Sequence, residues 1–323
     1  MSDTTASLRR KITSAEDLQS VVRTMKSLAA SSIGQYEKSA QALADYYRTV
    51  ELGLGVCFRK SAPAALTAER KEHAAAGAIG AVVFGSDQGL VGQFNDVVAA
   101  YAVKTLAGLP GKPMAWAVGE RVHARLADAG MPMMGRFTVP NSVTAITPLV
   151  GQIIVENETR RSRGEVAELH LFYNRPASGA VYAPVSQRLL PLDETWRSEL
   201  AELPWPTGNL PEVVGGNTAT LRALIREYLF VSLFRACAES LASENASRLA
   251  AMQRAEKNID ELLENLSRTF HRLRQSGIDE ELFDVISGYE SLAKENASAH
   301  KTIFNEQTDH QKQTTTPIGY GVL

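Results

Sequence analysis

The chain has 323 residues, with 34 Lys plus Arg against 36 Asp plus Glu and a formal net charge of −2. With 44% hydrophobic and 22% charged residues, the composition is that of an ordinary folded protein. It excludes wholesale disorder, and the near-neutral balance argues against a nucleic-acid or anionic-membrane binder. The two cysteines, Cys57 and Cys237, form no CxxC pair and are too few for a disulfide framework, so a reducing compartment is expected. The longest charge-free apolar run, Ala74 to Gly85, falls well short of the about 20 residues that span a bilayer. The opening Met-Ser-Asp-Thr-Thr lacks the charged and apolar regions of a signal peptide.

The first predicted element is a long helix over residues 4 to 58. Alternating steps of three and four from Ile12 pass through Ala15, Val22, Ala29, Ile33, Tyr36, Ala40, Leu43, Tyr47, Val50 and Leu54, interrupted only by Gln19 and Lys26. Such spacing is a coiled-coil seam. No proline precedes Pro63, and Gly34 is the only glycine before Gly53. At 1.5 Å per residue the helix is roughly 80 Å long.

The middle of the chain alternates strand and helix. Residues 78 to 85 read as a buried strand and Ser86 to Gly89 as a turn. Gln93 to Leu106 reads as a helix, Met114 to Val118 as a strand, and Glu120 to Ala127 as a helix. Val143 to Glu156 looks helical despite Pro148, and two strands follow at Val166 to Tyr173 and Ala180 to Leu189. This order predicts a mostly parallel sheet covered by helices. Residues 193 to 216, with Pro204, Pro206, Pro211 and three glycines, read as a loop.

A second long helix follows. From Leu221 the same walk gives Leu224, Tyr228, Val231, Ala238, Ala242, Leu249, Met252, Ile259, Leu263, Leu266, Phe270 and Leu273, interrupted by Arg235, Asn245 and Glu256. Asn217 and Thr218 offer an N-cap after Gly215-Gly216, and Gly277 offers a break. Neither helix can bury its stripe alone. Small seam residues such as Ala15, Ala29, Ala40, Ala238 and Ala242 suit two thin helices in close contact. The expected fold is an antiparallel two-helix coiled coil of the N- and C-terminal helices, with an inserted Rossmann-like α/β domain. Val22, Ala29, Leu263, Leu266 and Phe270 are expected in the seam. The expected segments are 1–60 and 217–292 for the helices, 61–216 for the insert, and 293–323 for a polar C-terminal extension.

No constellation argues for catalysis. Gly85 to Gly92 follows a strand and precedes a helix, where phosphate loops sit, but its spacing matches neither the dinucleotide fingerprint nor a Walker A loop. The histidines at 73, 123, 170, 271, 300 and 310 lie in no metal-ligand spacing, and Ser86 lacks a nucleophile-elbow context. The expectation is no catalytic residue, no cofactor and no metal. The acidic group Asp279, Glu280, Glu281 and Asp284, just after Arg272 and Arg274, reads as a solvated helix start or a docking surface.

Several segments resemble the gamma subunit of F-type ATP synthases. They are Leu8 to Ser14, Val22 to Met25, Leu28 to Ser31, Ser86-Asp-Gln-Gly-Leu-Val-Gly92 with Asn95, Phe172 to Asn174, and Gln187 to Pro191. The list continues with Glu239 to Glu244, Arg248, Ala251-Met252, Asn258, and Arg274-Gln275 leading to Ile278 to Glu281, Asp284 and Gly288. The chain departs from the family pattern at Gln88, Val91, His271, Asp279 and Tyr289, and runs 31 residues past Leu292. The resemblance implies a divergent bacterial central-stalk rotor without bond chemistry of its own. Such a rotor couples ion flow through a membrane ring to ATP synthesis or hydrolysis by rotation. It implies as partners the alpha and beta subunits of the catalytic hexamer, the epsilon subunit and the membrane c-ring. It implies a peripheral place on the cytoplasmic face of the cell membrane, and contacts by Met25, Arg274, Gln275 and Glu281. A coiled-coil scaffold with a Rossmann-like insert, and a nucleotide-binding enzyme using the Gly85 to Gly92 loop, are the competing readings.

Overall fold

The computed structural model describes residues 4–60, 78–177, 180–209, 211–213 and 216–312, with the backbone alone over 295–312. The apolar end of the extension, Ile318 to Leu323, and Gly215 before the second long helix lie outside the described residues. The chain divides into two compact units, one of residues 20–257 and the other of the two ends, up to residue 19 and from residue 258.

The elements are α1 (Thr5–Ala42), α2 (Ala44–Lys60), β1 (Ala78–Phe84), α3 (Phe94–Ala107), β2 (Pro113–Val118) and α4 (Glu120–Asp128). They continue with β3 (Met133–Phe137), α5 (Ile146–Ser162), β4 (Val166–Ala177), β5 (Ala180–Leu190), α6 (Glu194–Glu202) and α7 (Asn217–Lys312). The strands form one sheet of order β3-β2-β1-β4-β5, parallel except for β5, which pairs antiparallel with β4. Parallel neighbours joined through helices give the Rossmann-like core.

Within residues 20–257, α1 and α2 run antiparallel to α7. Arg23 and Lys26 both bond Glu256, at 2.9 and 2.5 Å, and Tyr46 bonds Glu227 at 2.8 Å. Val22, Ala29 and Tyr36, seven residues apart, are buried, while Lys26, Ile33 and Ala40, each four residues further on, are half-buried. This is a heptad seam with one dry and one wet position. Across from it Ala238, Ala242 and Met252 are buried.

The expected single helix over 4 to 58 is instead two helices broken at Leu43. The burial pattern gives the reason. Past the break, Leu54, Gly55, Val56, Cys57 and Phe58 are buried in succession. A stretch buried all round no longer follows a two-helix seam, because the sheet and α6 now cover it as well. Leu54 and Phe58 share one apolar core with Val82, Leu171, Ile153, Leu200 and Leu233. The opposite face of the sheet packs Ala81, Val83, Ala115 and Phe172 against α3 and α4 through Val98, Ala102, Val122 and Leu126. Strand side chains alternate between these two cores, as the period of two requires.

Further expectations are corrected. The loop expected over 193 to 216 contains α6, whose first turn is capped by Asp193 accepting from Trp196 N at 3.0 Å. The edge strand β3 was not expected. α7 continues through Gly277 and Gly288 to Lys312, so Gly277 is no break and residues 293–312 are helical in backbone. Asn217 is the first residue of α7 rather than its cap, and its amide donates to the Cys57 carbonyl at 3.2 Å. The helix expected over 143 to 156 spans Ile146–Ser162 instead.

Candidate partner-contact surface

The segment Gly85 to Gly92 holds neighbouring elements together. Ser86 N donates to Asn95 Oδ1 at 2.9 Å, and Asn95 Nδ2 donates to Ser86 Oγ at 2.8 Å. Asp87 accepts from Glu120 N and Val139 N, both at 2.9 Å, joining the starts of α4 and of the chain after β3. Val91 carbonyl accepts from Ser247 on α7 at 2.5 Å. Side chains that a phosphate site would turn outward are committed to backbone groups here. Leu90, at φ 63°, is exposed at the tip. Arg121 and Arg254 lie beside Gly89 and Gly92 respectively.

Neither cysteine is poised as a nucleophile. Burial raises the thiol pKa of both, that of Cys237 most. Burial also raises the Glu244 carboxyl, although Arg248 bonds it at 2.7 Å. Among the described residues, no group of three or more His, Cys, Asp or Glu could hold a metal ion, and no helix is long and apolar enough to cross a membrane.

In the unit formed by the chain ends, Leu8, Ala15 and Ile259 are buried, and Leu263, Leu266 and Phe270 are half-buried. Gln19 bonds Asp260 there. The same antiparallel register puts Thr5, where α1 begins, level with Arg274. Beyond that point α7 has no described partner helix, and its large apolar residues are open. Ile278, Leu282, Phe283, Val285, Ile286, Tyr289 and Leu292 are between 46% and 75% exposed. A contiguous exposed apolar stripe of this size marks an interaction surface. Arg274, Gln275 and Glu281 are exposed on the same stretch. Met25 is half-buried on α1, between Arg23 and Lys26, whose side chains are both anchored on Glu256.

The sequence reading singled out Arg274, Gln275 and Glu281 but not the apolar stripe beside them. Its signal was present in Ile278, Leu282, Val285, Tyr289 and Leu292, spaced at three and four. The glycines at 277 and 288 masked it by suggesting a helix end.

The profile of the ATP synthase family matches residues 4–292. The ATP synthase gamma chain of a Parafrankia species is 28% identical over 294 residues, covering 88% of this chain and 96% of that one. The ATP synthase gamma chain of Clavibacter sepedonicus is 30% identical over 294 residues, again covering 88% and 96%. Among solved structures, a chain of the Euglena gracilis mitochondrial ATP synthase, from the OSCP/F1/c-ring in rotational state 3, superposes with a TM-score of 0.61. It is 14% identical and covers 99% of both chains, a likeness of fold.

Proposed function

We propose, since the chain belongs to the family of ATP synthase gamma chains, that it is the central-stalk rotor subunit of a bacterial F-type ATP synthase. It couples ion flow through the membrane c-ring to ATP synthesis or hydrolysis in the hexamer of alpha and beta subunits. It performs no bond chemistry itself and sits peripherally on the cytoplasmic face of the cell membrane, with the epsilon subunit beside it.

The observation that carries this reading is the bare apolar stripe of α7 from Ile278 to Leu292. A helix that leaves seven large apolar side chains in water is stable in solution only at a cost, and a surrounding protein sleeve removes that cost. Around such a sleeve, rotation changes which face of α7 meets which catalytic subunit. Each orientation favours a different set of site conformations through differential contact energy, and by linkage each catalytic state favours one orientation. Arg274 and Gln275, where the helix pair ends, supply directional contacts to a beta subunit. Met25 supplies a neutral one near the rim, and Glu281 a further charged contact.

The test is reconstitution with alpha and beta subunits. Phe283→Asp with Val285→Asp should leave the isolated chain's melting temperature unchanged, because both side chains are already exposed, while preventing an active complex. Normal ATP-driven rotation by that double variant would overturn the sleeve reading and favour a stationary scaffold.

A further inference from the structure

A polar cavity of about 260 Å³ lies where α2, β4, β5 and α7 meet. Tyr47, Tyr173, Arg175, Gln187, Ser232 and Arg235 line it, so every lining side chain carries a polar group. None of the proposed rotor contacts is among them. All belong to the compact unit of residues 20–257.

The cavity is lined by two cations and by no acid. The acid that answers them, Glu239, stands in the adjoining groove. Arg175 Nε donates to its Oε2 and Arg235 Nε to its Oε1, both at 2.8 Å. One carboxylate thus holds two guanidinium groups, one on each oxygen, and the trio carries one positive charge in excess. The two cations repel each other, and a partly buried setting screens that repulsion less than open water does. A second anion shared by both arginines relieves the repulsion and balances the excess.

The donors for such an anion are in place. A guanidinium has five N–H groups. Glu239 takes the Nε–H of each arginine, and Arg175 Nη2 gives one more to the Tyr173 hydroxyl at 2.6 Å. Arg175 also lies over the Tyr173 ring, 5.6 Å from its centroid, so its guanidinium is held on two sides. The terminal amino groups supply the donors that remain. The two side chains are 45% and 44% exposed, so an ion arriving from solvent can reach them. Planar guanidinium forks suit the paired oxygens of an oxyanion. The cavity falls just below the about 300–1,000 Å³ of drug-sized sites, which fits a small ion.

The adjoining groove, of about 380 Å³, shares Tyr47, Arg175 and Arg235 with the cavity. Its walls include Ala40, Leu43, Ala44, Pro176 and Ala242, and its other carboxylate, Glu37, is exposed. An apolar body attached to the anion has room there.

We propose that Arg175 and Arg235 form a binding site for a phosphate group, either free or esterified to a small apolar body.

Inorganic phosphate, titrated into the full chain and followed by its phosphorus NMR resonance, is the first probe. It should bind with a dissociation constant of about 1 mM or below in about 0.15 M chloride. Arg175→Gln and Arg235→Gln should each weaken it by at least about tenfold. Gln187→Glu keeps both arginines and adds a carboxylate to the cavity. It should weaken phosphate likewise, and it covers the case in which an arginine variant fails to fold. Phenyl phosphate separates the two sources. Binding about tenfold tighter than that of inorganic phosphate marks an ester seated in the groove, and equal or weaker binding marks the free ion. No binding at about 10 mM phosphate would overturn the proposal. So would binding abolished by about 0.15 M chloride, the behaviour of an adventitious ion only. Affinity unchanged in the folded Arg175→Gln, Arg235→Gln and Gln187→Glu variants would overturn it as well.

Discussion

Ser247 on α7 donates its hydroxyl to the carbonyl of Val91 at 2.5 Å, a bond that joins the second long helix to the loop following β1. Both partners are buried. Ser247→Ala removes the donor and leaves a buried carbonyl without it. The expected loss is about 1–2 kcal/mol of stability, read as a lower urea midpoint of the isolated chain. In the assembled complex the same variant should loosen coupling, with more ATP hydrolysed per ion moved. A variant with unchanged midpoint and unchanged coupling would show the bond to be incidental.

Gly55 and Gly53 make a matched pair. A Cβ at Gly55 would stand 2.3 Å from the backbone oxygen of Leu200 in α6, whereas one at Gly53 would meet only the side-chain methyls of Leu224 at 3.2 Å. Backbone cannot step aside as a leucine can. Gly55→Ala should therefore displace α6 and lower stability by about 1–3 kcal/mol. Gly53→Ala should be near neutral, the helix propensity gained offsetting the mild crowding. Thermal unfolding of the two variants side by side checks the contrast.

Lys26 and Arg23, in that order of effect, hold the Glu256 carboxyl below the usual carboxylate range. A carboxyl with a depressed folded-state pKa adds stability above its unfolded value, about 4.3, and loses it as pH falls through the folded value. The wild-type urea midpoint should fall more steeply than that of Glu256→Gln on acidification from about pH 6 to about pH 3. Parallel slopes would mean that the pair of cations adds nothing in solution.

Arg274 and Gln275 lie level with the start of α1 and are exposed. Arg274→Ala with Gln275→Ala should leave the chain's own stability within about 0.5 kcal/mol of wild type, as is usual for surface sites. It should also leave the complex assembled while slowing steady-state ATP turnover. Leu266→Asp, by contrast, puts a charge on a half-buried seam and should lower stability before any partner is added. Unchanged turnover in the assembled double alanine variant would remove these residues from the contact surface.

The two long helices, and most of the α/β alternation, were legible because periodic apolar spacing is the strongest local signal. What escaped was set by contacts distant in sequence. β3 reads Met-Met-Gly-Arg-Phe, with a glycine and a charge where a strand pattern would be apolar. It is a strand because β2 offers it a ladder, Trp116 pairing with Gly135 and Val118 with Phe137. α6 was hidden by Pro204 and Pro206, which in fact follow its end, while its start depends on the Asp193 cap. The break at Leu43 has no glycine or proline to announce it. It falls where α2 leaves the two-helix seam for burial on several sides. The apolar stripe past Gly277 is legible as spacing, but single glycines there look like a helix end. A helix tolerates single glycines at roughly 1 kcal/mol each.

Leu54 of α2, Leu233 of α7 and Leu171 of β4 belong to one apolar core. The two helices among them are separated in sequence by the whole α/β region, to which Leu171 itself belongs, yet none of the three can be withdrawn without opening the others. A twist applied to the helix pair at this level is felt by the strand that shares its core. It passes into the sheet as elastic strain, and the amides of β4 and of α7 near Leu233 should exchange with solvent in one concerted opening rather than separately.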